Sequence, residues 1–197
     1  MKLTESFPCE VVVDGAAYAI RTDYRCGIRH EQMMLYRNDL TVKDILENWL
    51  PVIPENLAAA LEAVNRFYRC GENLDQEIGR KRRNTRLYDF DVDADVIASS
   101  FRQCYGICLH TAQLHWWEFC ELLDGLPAKC SFSDRVQLRD TDTKGMKSKD
   151  RRKVEEQKRR WRLPDTIHSK RKKYQTLEER NAAMIAYVDK RFAEIER

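Results

Sequence analysis

Apolar positions alternate at the start of the chain and then recur at helical spacing almost to its end. Cys9-Glu10-Val11-Val12-Val13 and Ala16-Ala17-Tyr18-Ala19-Ile20 are β-forming runs joined by Asp14-Gly15. Asp-Gly in that place signals a two-residue hairpin turn, because glycine tolerates the positive φ the turn demands, and a hairpin is predicted at about 9–21. After it the period changes from two to 3.6. Thr22 or Asp23 can cap a first helix running to about Tyr36 with Tyr24, Ile28 and Leu35 on one face, although Gly27 interrupts it. Thr41-Val42-Lys43-Asp44 resembles a capping box, and Val42, Ile45, Leu46 and Trp49 mark a short helix stopped before Pro51. A third helix starts at Pro54, with Leu57, Leu61, Val64 and Tyr68 in register until Gly71. A loop is expected at 71–87, containing Arg80-Lys81-Arg82-Arg83.

The central block is the most regular. Asp93 is placed to cap a helix whose stripe is Ile97, Phe101, Cys104 and Cys108, ending near Gly106-Ile107. Thr111 is then read as the cap of a second helix from Ala112 to Leu123, apolar on most sides. Gly125 is its C-terminal glycine and Pro127 prevents continuation. Phe101, Trp116, Trp117 and Phe119 are expected in the core. Phe132, Val136 and Leu138 suggest one more short helix, broken by Thr141-Asp142-Thr143-Lys144-Gly145.

Beyond this point the pattern fades. Residues 143–173 hold fourteen basic and four acidic side chains and few apolar anchors. Such a tract buries too little surface to offset its ordering entropy, so it is expected to be mobile or a frayed helix. Thr176-Leu177-Glu178-Glu179 is a second capping box, and Leu177, Met184, Val188, Phe192 and Ile195 follow as an amphipathic helix. The expected organisation is a hairpin and helical body over 1–140, a basic tract over 141–175 and a C-terminal helix over 176–197. The fold class is mainly α with an N-terminal β-hairpin, a compact helical body and a basic helical extension. No internal repeat is visible.

Composition adds one asymmetry. The 197 residues carry a net charge of only +3. Residues 1–128 nevertheless hold fourteen basic and twenty acidic groups, whereas 129–197 hold twenty-one and twelve. A mean hydropathy of −0.66 describes a soluble domain with charged additions. No stretch approaches the roughly 18–20 apolar residues of a membrane span, and Met1-Lys2-Leu3-Thr4-Glu5 lacks the apolar run of a signal peptide, so a cytoplasmic location is expected. Seven cysteines, an odd number without a CxxC pair, read as reduced thiols.

Candidate chemistry is sparse. Asp89, Asp91, Asp93 and Asp95 alternate like a calcium loop, but Ala94 or Val96 stands where glycine is needed and Ser100 or Arg102 where a bidentate glutamate is needed. They read instead as an acidic lead-in to a helix. Cys104, Cys108, His110, His115 and Cys120 are close in sequence, yet interleaved aromatic residues argue for core rather than a tetrahedral zinc site. His115 has no nucleophile at partner spacing, and no phosphate-binding, dinucleotide or hydrolase motif occurs. No catalytic, metal or cofactor residue is therefore assigned, and an enzyme is not expected.

The basic stretches remain as a lead. Arg80, Lys81, Arg82 and Arg83, with Arg151, Arg152, Lys153, Arg159 and Arg160, can neutralise phosphates of a nucleic acid, with Trp161 and Tyr174 available for stacking. The alternative is a solvated arm or a tract that docks on an acidic protein, and the pI near 8.4 falls short of the value above 9 typical of a dedicated nucleic-acid domain.

A family resemblance lies in the central block. Tyr88-Asp89-Phe90-Asp91, Ile97, Phe101, Tyr105-Gly106-Ile107, Leu114-His115-Trp116-Trp117-Glu118-Phe119 and Leu122-Leu123-Asp124-Gly125-Leu126-Pro127 resemble the gene-product-fifteen family of tailed bacteriophages. Thr22-Asp23-Tyr24-Arg25 is similar to its early segment, and the likeness covers most of 9–140. One departure is Cys108, where the family usually has an acid after Tyr-Gly-Ile. The resemblance implies a role in tail morphogenesis, because such genes usually lie between those of the major tail protein and the tape-measure protein. It implies a chaperone that binds the tape-measure or another tail protein through helix contacts in the host cytoplasm. Met184, Tyr187, Val188 and Phe192 on the last helix are the candidate partner face, with self-association as another use of that stripe.

Overall fold

The computed structural model describes residues 4–71 and 86–167. Among these, 4–71 and 165–167 form one compact unit and 86–164 form another. The chain is mainly α with an N-terminal hairpin, as its periodicity predicts.

In the first unit, β1 (Glu10–Val13) and β2 (Ala16–Ala19) are antiparallel with Val11 opposite Tyr18 and Val13 opposite Ala16. Asp14 and Gly15 both take positive φ, 50° and 81°, the conformation of a two-residue hairpin turn. Val11 and Val13 point inward while Val12 is 67% exposed, the alternation of a strand covered on one face. Helix α1 (Tyr24–Tyr36) is capped by Asp23, which accepts from the Arg25 amide at 2.8 Å. Its buried face is Tyr24, Cys26, Gly27 and His30 rather than Tyr24, Ile28 and Leu35, so Gly27 lies in a packed contact. Helix α2 (Val42–Trp49) carries the full capping box, with Thr41 and Asp44 each accepting from the other's amide. Val42, Ile45, Leu46 and Trp49 are all buried. Arg21 donates to the Glu47 and Leu50 carbonyls, satisfying acceptors that the end of α2 leaves open.

Helix α3 (Leu57–Tyr68) is capped by Asn56, so its first residue lies three after the expected Pro54. An asparagine side chain that can accept from the Ala59 amide outcompetes proline's fixed φ as a start signal. The buried stripe is Ala60, Val64 and Phe67, and β1 and α2 both pack on this helix.

The second unit holds α4 (Ala94–Tyr105), α5 (Trp116–Asp124), α6 (Ser131–Asp140) and α7 (Ser148–Arg160). Its centre is aromatic. Phe101 and Phe119 stack with centroids 5.3 Å apart, Trp116 stacks on Phe119 at 5.9 Å, and Phe90 closes on Phe119 at 6.0 Å. Helix α4 ends at Gly106, φ 71°, where the Gly106 and Ile107 amides return to the Arg102 and Phe101 carbonyls. Cys108 therefore lies beyond the helix and is not one turn from Cys104 on its surface.

Three expectations are corrected here. Helix α5 starts at Trp116, not Ala112: His115 is its cap, and the Trp117 amide donates to His115 Nδ1 at 3.0 Å. Thr111 closes a separate turn, in which the Thr111 and Ala112 amides donate to the Cys108 carbonyl. Trp117 is half-buried and not a core residue, because adjacent helical residues point about 100° apart and Trp116 takes the inward direction. Gly125 ends α5 without positive φ (−79°); a Cβ there would meet the Glu121 carbonyl at 3.0 Å and the Tyr105 hydroxyl at 3.2 Å, so glycine serves close approach.

The second unit runs on past residue 140. Residues 148–160 form a helix that packs on α6 inside the second unit, although none of its residues is buried. Polar contacts replace the missing apolar burial, as the site below shows. The expected C-terminal helix over 176–197 lies outside the described residues.

Candidate functional site

The acidic lead-in is a buried ion network. Asp89 Oδ1 accepts the Asp91 and Val92 amides at 2.8 and 3.0 Å, folding the turn that enters α4, while Oδ2 takes Arg86 at 3.0 Å. Asp93 occupies the cap position of α4 but makes no capping bond; its carboxylate accepts from Arg135 at 3.0 Å, from Arg139 at 2.6 and 2.9 Å, and from the Asp89 amide at 3.0 Å. Asp93 is 0% exposed. Burial alone would raise its pKa, but hydrogen bonds from Arg139 and Arg135 together outweigh it and hold the carboxyl below its ordinary value.

Arg135 and Arg139 stand one turn apart on α6, so both reach the same carboxylate. The same two side chains hold the end of α7. The Arg135 guanidinium lies 3.9 Å over the Trp161 ring, and Arg139 Nε donates to the Trp161 carbonyl at 2.8 Å. Lys158 in turn donates to the Arg139 and Thr141 carbonyls at the C-terminus of α6. Sequence reading passes over Arg135 and Arg139 because an isolated arginine pair reads as surface charge. Their spacing of four opposite a buried aspartate was the available signal.

A second feature is a cleft of about 240 Å³ lined by Ala98, Ser99, Arg102, Cys108, Leu109 and His110. Arg102 donates to Cys108 Sγ at 2.9 Å. Hydrogen bonds from the Thr111 side chain and Arg102, helped by the His110 backbone, lower the Cys108 thiol to about 7. The Thr111 hydroxyl and the Arg102 guanidinium thus both favour the thiolate at this position. The remaining candidates do not converge: among the described residues no group of three His, Cys, Asp or Glu side chains is placed to hold a metal. His115 serves as a helix cap.

Of the basic candidates, Arg151, Arg152, Lys153, Arg159 and Arg160 all lie exposed on α7. Arg80, Lys81, Arg82 and Arg83 lie outside the described residues, as do Met184, Tyr187, Val188 and Phe192. Phe101, Trp116 and Phe119 are core, at 0, 4 and 0% exposure. No described helix is long and apolar enough to cross a membrane.

The fold and its sites define a small, mainly helical protein whose distinctive acidic and aromatic blocks are used to build the scaffold. Residues 3–163 match the family described as Bacteriophage Gp15 protein, and the chain belongs to that family. The match extends past residue 140 and through α7, so the basic helix is part of the family body. No curated protein and no solved structure matches the chain.

Proposed function

We propose that this phage protein is a non-enzymatic factor of tail morphogenesis, a tail assembly chaperone that binds the tape-measure protein through helix–helix contacts in the host cytoplasm. Family membership over 3–163 is the observation that carries the reading, together with the gene position that the resemblance implies. The local chemistry is compatible with it. The motif residues cap and pack helices, as His115, Phe101 and Phe119 do, which leaves function to surfaces rather than to a catalytic constellation. A long helical client presents apolar stripes that a helical partner can cover, and Met184, Tyr187, Val188 and Phe192 are the side chains assigned to that contact. Self-association through the same stripe is the competing use. Co-expression with tape-measure fragments tests the reading: more soluble fragment is expected with the full-length protein and less with the Met184→Ser/Phe192→Ser variant. Fragments no more soluble with the protein than without it would end the proposal.

A further inference from the structure

Helix α7 has one face against its own unit and one turned away, and the two carry different chemistry. At 100° per residue, Val154, Lys158 and Trp161 share the inner side, where Lys158 and Trp161 make the contacts with α6 described above. Arg151 lies toward that side and is paired with Glu155 at 2.7 Å. On the outer side, Lys149, Arg152, Lys153, Arg159 and Arg160 fall within an arc of about 120°, with Glu156 the one acid among them. All five cations are exposed. The side chains of Lys149, Arg152, Lys153 and Arg159 make no hydrogen bond or ion pair within the described residues, and Arg160 lies 5.3 Å over the Trp161 ring.

We propose that this outer face of α7 is a binding surface for the phosphate backbone of duplex nucleic acid. From Lys149 to Arg160 the row is about 16 Å long, the axial length of about five phosphates on one strand of a duplex. The arc contains no apolar side chain. A docking site for a folded acidic protein would carry an apolar centre depleted of charge, whereas a regular polyanion needs only aligned cations. Stacking on Trp161, expected from the sequence, is excluded by this geometry: the ring is held under Arg135 at 3.9 Å. Contact is therefore with backbone and independent of base sequence. Of the residues singled out by sequence, Arg152, Lys153, Arg159 and Arg160 belong to the surface, Arg151 does not, and Lys149 joins it. This inference goes beyond the chaperone reading and does not rest on it.

The test is fluorescence anisotropy of the full-length protein with a 20-base-pair duplex DNA across a salt series. Binding at low salt that weakens steeply as salt rises is expected, and the Lys149→Gln/Arg152→Gln/Lys153→Gln/Arg159→Gln variant should lose about 3.6 from the slope of log affinity against log salt. Arg151→Gln should bind within about twofold of the parent. Glu156→Lys, which adds a charge to the same arc, should tighten binding and steepen the slope by about 0.9. The proposal is overturned if the fourfold variant binds the duplex like the parent, if Glu156→Lys changes nothing, or if polyglutamate displaces the duplex at equal charge concentration, which would mark an acidic protein as the partner.

Discussion

In the first unit a buried polar contact joins His30 to Trp49 without a formal charge, whereas in the second Asp93 meets Arg135 and Arg139 as ions. Both solve the same problem, since a buried polar group needs a partner. In the neutral solution Trp49 Nε1 donates to His30 Nδ1 at 3.1 Å within a cage that includes Tyr68, whose ring centroid is 4.3 Å from that of His30. In the charged solution a single carboxylate ties the start of α4 to α6, and the same arginines tie α6 to the end of α7. The difference teaches how a helix with no buried residue can still belong to a folded unit. It is fastened at one end by arginine, carbonyl and indole, while its outer face stays free for charge.

The largest expected effect is on the charged side. Asp93→Ala takes from Arg139 its carboxylate and leaves Arg135 only the exposed Asp95 at 3.2 Å, and loss of one member of a buried pair typically costs about 3–5 kcal/mol. Chemical denaturation followed by hydrogen exchange should show the loss in the second unit, with the first unit close to the parent. A change under about 1 kcal/mol would mean that Asp93 is not the closure.

Acid separates the two units next. Burial lowers His30 to about 4, so the folded state holds it neutral while the unfolded chain takes up a proton near 6.5. The stabilisation is complete above pH 6.5 and is lost as pH falls toward 4, by an amount on the order of 3 kcal/mol. Asp93 has the same sign of proton linkage, at work only lower down: its contribution is full above the ordinary carboxylate value and disappears as pH falls through the depressed folded one. Between pH 6 and 4 the first unit should therefore weaken while the second holds, and His30→Gln should flatten the decline. Equal loss from both units in this range would refute the contrast.

The smallest effect concerns Cys108. Alkylation by iodoacetamide should show a midpoint near pH 7 for this thiol, and Thr111→Val or Arg102→Gln should move it toward the ordinary value. Stability should hardly change, because the thiol lies on an open cleft.

Legibility in the sequence followed the range of the interactions. The hairpin turn and the Thr41 box were readable because each rests on residues within four positions of one another. The core positions of α2 and the pair Phe101 and Phe119 were readable from spacing. The His115 cap is not legible in the sequence, because imidazole is an uncommon cap and Thr111 is a commoner one; Thr111 closes a turn of its own instead. Asp93 was read as a local cap, but Arg135 and Arg139 lie more than forty residues away in sequence and decide its role. Helix α7 reads in the sequence as mobile or frayed, and its packing is not legible for the same reason: its anchors belong to α6, and composition counts only apolar burial.

Hydrogen exchange of the α7 amides, in the parent and in Asp93→Asn, bears most directly on whether the ion network makes this helix part of the folded unit. Protection across 152–160 in the parent that falls together with that of α6 in the variant, while α2 and α3 keep theirs, is the expected result. Free exchange of α7 in the parent, or protection unchanged by the substitution, would contradict it.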